Sequence, residues 1–382
     1  MRLTIEKKEL ERLLKAACGV AERRAVIPIL GHVLITAGAG AVSVVATDMD
    51  MTVRAAGPAD VEAQGQATAP AHVLADIVRK LPAGRVSVEL QKTELAVASG
   101  RSRFRLAALD PADFPAMTEP QAHAIALPGA ELRRCLTTAR AAISSDPTRP
   151  YLHGVHVHGG DGRIHFVATD GHRLHAASAS LSPDAPPFPA VTILKKAASM
   201  MLAMADGEEA CALTLGDNKM AFAAGGASLV AKLVEGKFPE YGRIVPPPVA
   251  LPVRVNAALL AAKLDLAATV HMAGAETVNI EAAGEGLSLL ARDKLHGASL
   301  VDLDAHAPDA AITIGFNESY LREMLAPFGD AEVEVHLSAP EAAVLVRRDG
   351  DDGFYAVGMP CRMLEPGVEF AAFRAAETAE AA

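Results

Sequence analysis

The stretch that decides the fold is Val45-Ala-Thr-Asp48-Met-Asp-Met-Thr-Val-Arg54, because it returns as Val167-Ala-Thr-Asp170-Gly-His-Arg-Leu-His175. A weaker third copy stands at Leu290-Ala-Arg-Asp293-Lys-Leu-His296. Asp48 and Asp170 lie 122 residues apart, and Asp170 and Asp293 lie 123 apart. A second marker keeps the same step: Asp113-Phe-Pro115 returns as Lys237-Phe-Pro239, 124 residues on. Two unrelated markers at one spacing establish an internal repeat. Three units of it carry the chain to Met363.

Working outward from the motif, each unit reads as two similar halves. The first opens with a short strand at residues 2–5 and a helix whose Leu10, Leu13, Leu14 and Ala17 share one face. Alternating stretches at 32–36 and 42–46 follow as strands. The second half repeats the order: a strand at 67–69, a helix over 71–80, then strands at 86–90, 95–99 and 103–107. Unit two opens near 124–127 with a helix over 129–143. Unit three opens near residue 253 with a helix over 256–268 and a second over 319–328. The expected class is therefore α+β, with domains at 1–120, 121–248 and 249–363 and a disordered tail at 364–382. Half-units of ~60 residues bury too little surface to stand alone, so their sheets are expected to join edge to edge, which also removes free edges.

Composition narrows the function. The chain has 382 residues with 36 Lys+Arg against 46 Asp+Glu, a formal charge of −10. Half of it is hydrophobic, enough for ordinary cores. No apolar run approaches the ~18 residues that span a bilayer. The charged start, MRLTIEKKELERLL, does not read as a signal peptide. Four dispersed cysteines fit a reducing cytoplasm. With no Trp and 4% aromatics, the chain lacks the rings that stack single-stranded bases.

The basic residues recur at matching places. Lys8, Arg12 and Lys15 share the helix face opposite the leucines. In the equivalent helix of unit two, Arg133, Thr137 and Arg140 share a face, with Arg134 beside them. Arg79 and Lys80 end one helix, Lys195 and Lys196 begin another, and Arg23, Arg24 and Arg149 follow the opening helices. Unit three offers only Lys263 and Arg322. Any one such helix is an ordinary solvated face; the recurrence points to one basic lining on an acidic body, suited to sequence-independent phosphate contact.

Catalytic readings lack their parts. Six of the 13 histidines fall in residues 153–175, with His156 and His158 on one side of a strand, but without converging carboxylates a metal site is not expected. The repeated Thr-Asp pair recurs too regularly for paired acids and reads as a structural turn. Neither a phosphate loop nor GxSxG occurs, and Cys361 reads as an apolar filler.

The triplicated unit resembles the bacterial sliding clamps, the beta subunits of DNA polymerase III. Further matches run in the family's order over residues 1–363: Ile27-Pro-Ile-Leu-Gly31, Ser99-Gly-Arg-Ser-Arg-Phe104, Lys232-Leu-Val-Glu-Gly-Lys-Phe-Pro239, Ile314-Gly-Phe-Asn317 and Met359-Pro-Cys-Arg362. The resemblance implies three DNA-clamp domains, each of two βαβββ-like halves. Two chains would close head to tail into a ring, twelve helices inside and sheets outside. Such a ring encircles duplex DNA and tethers the polymerase without catalysis, cofactor or metal. Arg24, Arg149 and Tyr151 match loop positions that contact DNA.

The family's partner site, a groove accepting short peptides, maps to Leu152, Thr169, Gly171, His172, Arg173, Leu174, Pro239, Arg243, Ile244, Val357, Gly358, Met359, Pro360, Cys361, Arg362 and Met363, with Asn317 and Tyr320 as a polar edge. The partners implied are the polymerase III catalytic subunit, the clamp loader, and other DNA polymerases and repair proteins. Phe104 and Leu106 are expected to meet Val270 of a second copy. Gly242 and Gly358 stand where the family often has bulkier residues, which is expected to loosen the groove. The segment 368–373 has the spacing of an apolar peptide that could enter that groove. The alternative of a different class is a clamp-derived scaffold that binds peptides without encircling DNA.

Overall fold

The computed structural model describes residues 1–363 apart from 206, 208, 272–276, 285, 310 and 352, together with Phe370 and Phe373. Six α-helices stand among the described residues: α1 Lys7–Cys18, α2 Ala71–Lys80, α3 Gly129–Arg140, α4 Lys195–Met204, α5 Ala257–Ala267 and α6 Glu318–Leu325. The expected amphipathic face of α1 forms, with Leu10, Leu13, Leu14 and Ala17 buried; α5 buries Leu260, Leu264 and Ala267 while Leu259 and Leu266 stay exposed. Helix α3 stops at Arg140, short of residue 143. Pro327 converts the end of the last helix into a 3-10 turn at Ala326–Phe328, since its ring cannot continue an α-helical ladder.

The chain packs as two compact units. The first comprises Met1–Arg133 and Leu181–Glu235. Its five-stranded sheet runs Asp60–Ala63, Arg2–Glu6, Arg85–Gln91, Glu94–Ser99, Ser102–Ala107. Its eight-stranded sheet joins material from two repeats: Ala227–Lys232 pairs antiparallel with Met51–Pro58, with Leu229 opposite Val53. The second unit comprises Arg134–Ser180 and the described part of Gly236–Ala382. There Arg173–Ser180 pairs antiparallel with Phe354–Gly358, Leu174 opposite Val357. In both units, then, sheets continue from one repeat into the next, as expected. The second unit also holds a four-stranded sheet ordered Gly297–Asp304, Gly286–Asp293, Thr277–Ala283, Ile312–Asn317.

The repeated motif is one hairpin turn built three times. Asp48 Oδ1 accepts from the amides of Asp50 and Met51 at 3.1 and 2.7 Å, and Thr47 Oγ1 donates to Met51 O at 2.9 Å. Asp170 Oδ1 accepts from His172 and Arg173, and Thr169 Oγ1 donates to Arg173 O. Asp293 Oδ1 accepts from Leu295 and His296. A short carboxylate that bonds the backbone two and three residues on satisfies the amides a tight turn leaves open. The residue after the aspartate shows the cost of the turn: φ is +92° at Gly171 and +74° at Met49, a region glycine enters freely and methionine does not. The aspartates serve the turn, as the repetition implied.

Candidate functional site: a basic helix face and an apolar groove

In the first unit Lys8, Arg12, Lys15, Arg24, Arg79, Lys80, Lys195 and Lys196 are all exposed. They are not equally available. The Arg12 guanidinium holds Glu9 at 2.7 Å and donates to Ala56 O at 2.8 Å and Gly225 O at 3.3 Å. Arg79 pairs with Asp76, and Lys196 lies 2.5 Å from Asp48 Oδ2. Arg133 donates to Leu202 O and Ala205 O. These groups tie elements together besides carrying charge.

In the second unit Arg134 donates to Ser178 O at 2.7 Å and Gly353 O at 3.2 Å, so it braces the sheet. Arg140 is exposed at the end of α3. Arg149 Nε lies 2.8 Å from Asp146 Oδ2, and hydrogen bonds from Thr148, reinforced by Arg149, hold the Asp146 carboxyl down to about 2. Tyr151 packs half-buried beside an apolar cluster.

Three of the residues that the resemblance assigns to the groove, Leu152, Leu174 and Val357, belong to that cluster. Leu152, Val167, Leu174, Ala176, Phe238, Leu345 and Val357 pack together, all at most 5% exposed. Leu174 and Val357 are cross-strand partners, which is why residues far apart in sequence meet. Of the other residues expected in the groove, Ile244, Met359 and Met363 are 48%, 44% and 38% exposed, and Pro239, Arg243 and Arg362 are exposed. Exposed Ile and Met side chains make an adaptable apolar surface. One wall is fixed by main-chain bonds: Met359 N donates to His172 O at 2.8 Å and Cys361 N to Gly315 O at 2.9 Å.

The polar edge is a clasp centred on Arg173. Its guanidinium contacts Asp170 at 3.2 Å and Glu323 at 2.6 Å, donates to Ala141 O at 3.1 Å, and lies 4.8 Å from the Tyr320 ring centroid. His172 stacks on the same ring at 5.7 Å.

Asn317 caps α6, its Oδ1 accepting from Tyr320 N at 3.2 Å and from Ser319 Oγ. One expectation needs correction. Gly358 does not loosen the groove, because a Cβ there would stand 2.6 Å from Met324 Sδ and 2.9 Å from Phe316 Cε1. The space is already filled. Gly242 does have open surroundings.

Sequence reasoning left out Phe238, Leu345, Tyr241, Tyr355 and Glu323. The first carried a signal, the repeated Phe-Pro marker. The Tyr241 hydroxyl lies 2.7 Å from His158 Nε2 and shares a hydrogen bond with the Tyr355 hydroxyl; burial chiefly pushes both phenols up. The clustered imidazoles are absorbed one by one: His156 stacks on Phe238 at 4.5 Å and His158 on His165 at 4.8 Å. Among the described residues no group of three or more ligating side chains converges on a metal position.

Phe104 is half-buried and Leu106 nearly buried on Ser102–Ala107, an edge strand of its sheet. Val270 is half-buried in the turn after α5. The segment 368–373 lies outside the described residues except for Phe370 and Phe373.

Comparison with known proteins matches three consecutive family models. They are the N-terminal domain of the DNA polymerase III beta subunit at residues 1–118, the central domain at 126–240 and the C-terminal domain at 242–362. The beta sliding clamp of Caulobacter vibrioides is 34% identical, the match covering 95% of this chain and all of that one. That of Escherichia coli K12 is 28% identical with the same coverage. Crystal structures agree: the Caulobacter crescentus beta sliding clamp superposes with a TM-score of 0.90 at 34% identity. The Bartonella birtlesii clamp, solved bound to griselimycin, gives 0.90 at 30% identity. Each match covers 95% of this chain and 100% of the other.

Proposed function

The chain belongs to the DNA polymerase III beta subunit family and is a non-catalytic DNA sliding clamp of three α+β domains; from that premise we propose how its own residues perform the task. Two copies close head to tail. The observation that carries this is a pair of sheet edges with no strand paired to them among the described residues: Ser102–Ala107 ends the five-stranded sheet and Gly297–Asp304 ends the four-stranded one. Joining them buries both edges, with Phe104 and Leu106 of one copy against the segment around Val270 of the other. The domains divide at about residues 120 and 248, as the repeat markers imply.

The clamp encircles duplex DNA, and Lys8, Lys15, Lys80, Lys195, Arg24, Arg140 and Arg149 face its phosphates. Long cations that touch only the backbone read no sequence, so the duplex slides while topology keeps the ring on it. Processivity then follows from effective concentration: a polymerase tethered to the ring rebinds rather than diffusing away. Tethering is assigned to the groove over Leu174 and Val357, which takes an apolar peptide segment from each partner in turn: the polymerase III catalytic subunit, the clamp loader, other polymerases and repair proteins. The exposed Ile244, Met359 and Met363 repack around different side chains. The site of action is the cytoplasm; among the described residues no helix is long and apolar enough to cross a membrane.

The test is retention on DNA. Protein loaded onto a nicked circular duplex should stay bound through gel filtration and fall off when the circle is cut. Retention that persists on the linear form would mean direct binding and sink the topological reading.

A further inference from the structure

The loop at residues 143–153 of the second unit is built around one carboxylate. Asp146 Oδ1 accepts from the Thr148 amide at 2.9 Å and the Thr148 hydroxyl at 2.7 Å, and Oδ2 accepts from Arg149 Nε at 2.8 Å. Its main chain serves the same loop. Asp146 O accepts from Arg149 N at 3.0 Å and from His153 Nε2 at 2.7 Å, while Asp146 N donates to Ser144 Oγ at 3.1 Å. The Thr148 donors, with Arg149 after them, hold the carboxyl down to about 2, so it is charged at neutral pH.

An acid in a loop assigned to DNA is unexpected, because a carboxylate repels phosphate. This one is spent on the loop's own donors, and the last of them is Arg149. A second element fixes the same guanidinium. A Cβ on Gly171 would collide with Arg149 Nη1 and would stand 3.5 Å from Cζ and 3.7 Å from Nη2. The hairpin turn does not itself demand a glycine there: the equivalent residue of the first repeat is Met49, at φ +74° against +92° for Gly171. The missing side chain at 171 makes room for the arginine.

The guanidinium is therefore held at Nε and seated at Nη1. Neither Nη1 nor Nη2 has a hydrogen-bond or ion-pair partner among the described residues, and the side chain is 34% exposed. The opening helix of the first unit supplies the contrast. Arg24, in the loop that follows it, is exposed and has no such partner for any of its nitrogens among the described residues. One cation is oriented before it meets a ligand, and the other is not.

We propose that Asp146 and Gly171 are positioning residues for the phosphate contact of Arg149. The carboxylate grips Nε, the glycine leaves space for Nη1, and the fork meets the DNA backbone already aimed. An arginine so held loses less rotamer freedom on contact, and its planar fork suits phosphate oxygens in a way a lysine does not. That Arg149 meets phosphate rests on the function proposed above; that Asp146 and Gly171 hold it does not.

The test measures affinity of the full-length protein for a short fluorescein-labelled duplex by anisotropy at low salt, where phosphate contacts are least screened. Asparagine has one acceptor oxygen and cannot serve both Thr148 and Arg149, so Asp146→Asn breaks the grip while removing a negative charge. A carboxylate that merely repelled DNA would give tighter binding on this change. A positioning carboxylate gives weaker binding, by about three- to fivefold. Gly171→Ala, which alters no charge, should weaken binding by a similar factor. On an Arg149→Ala background neither change should weaken binding further. Arg149→Lys should lose nearly as much as Arg149→Ala, whereas Arg24→Lys should stay near the parent protein.

Tighter binding by Asp146→Asn, or equal weakening with and without Arg149, would overturn the proposal. Unaltered affinity in Arg149→Ala would instead remove Arg149 from the DNA contact, and the positioning role with it. Thermal midpoints show which variants are folded, and if Gly171→Ala is not, the sign of the Asp146→Asn effect decides alone.

Discussion

Arg173 Nη1 lies 2.6 Å from Glu323 Oε2, joining the hairpin of the second repeat to helix α6 of the third. The arginine side chain is 9% exposed and the glutamate 47%, so the two ends of the pair are not worth the same. Arg173→Ala strands Asp170, frees Tyr320 and leaves Ala141 O without its donor; a cost of about 2–4 kcal/mol is expected. Glu323→Gln should cost under about 1 kcal/mol, because water screens an exposed partner. Arg173→Lys should fall between, keeping the charge without the planar fork. Urea midpoints at fixed pH decide it, and equal losses for Arg173→Ala and Glu323→Gln would refute the asymmetry.

Acid sensitivity should arise at His175. It is 0% exposed, its Nδ1–H donates to Thr138 O at 3.0 Å, and burial chiefly, with Arg173 adding to it, pulls its pKa down to about 4. The hydrogen bond to Thr138 O is the main opposing influence, with Glu323 and Asp170 acting the same way. Between pH 4 and 6.5 the unfolded chain binds a proton that the folded chain excludes. Stability is therefore full above 6.5 and lost as pH falls toward 4, by on the order of 2–3 kcal/mol from this group. Burial lowers His32, His165 and His336 too, so His175→Gln should flatten only part of the slope between pH 7.5 and 5. A slope unaltered by the substitution would show that His175 is not its source.

What the sequence disclosed follows from what repeats. The Asp48, Asp170 and Asp293 turns were legible because a tight hairpin needs the same short carboxylate each time, and spacing exposes such periodicity. Apolar faces such as Leu10–Leu14 were legible from helical period alone. The apolar cluster was only half legible: Leu174 and Val357 came from the family pattern, whereas Leu345 and Tyr355 meet them through strand pairing that no local signal announces. Charge was the least faithful guide. Arg133 and Arg134 sit on the expected helix yet donate to main-chain carbonyls, because a guanidinium with five donors is as useful for bracing backbone as for meeting phosphate.

That distinction separates two kinds of charge reversal. Lys8, Lys15, Lys80 and Lys195 are exposed, with no hydrogen-bond or ion-pair partner for their ammonium groups among the described residues. Changing all four to Glu should leave the urea midpoint nearly unaltered while weakening clamp–DNA contact. The slope of log affinity against log salt should shrink by roughly 0.9 for each phosphate contact removed. Arg134→Glu should instead lower stability by about 1–2 kcal/mol, since Ser178 O and Gly353 O each lose one donor and keep Arg163 Nη2 and Ser178 N respectively. If the lysine quadruple variant unfolds as readily as Arg134→Glu, the division between free and bracing cations is wrong.

The two glycines beside the groove wall should respond differently to the same added methyl group. At Gly358 the intruded atoms are Met324 Sδ and Cε and one edge of the Phe316 ring. Methionine is flexible and can turn away, so Gly358→Ala should cost about 1–2 kcal/mol and leave the wall in place. At Gly315 the intruded atoms are Cys361 O and the main chain of Met363, which have no rotamer to adopt. Gly315→Ala must therefore move the wall bodily, lengthening the Cys361 N to Gly315 O bond of 2.9 Å. Paired measurements separate the cases: urea unfolding reports the energetic loss, and Cys361 labelling reports wall position. Gly315→Ala should accelerate labelling severalfold, whereas Gly358→Ala should not. Equal labelling in the two variants would mean that the wall is held by something other than its seat on Gly315.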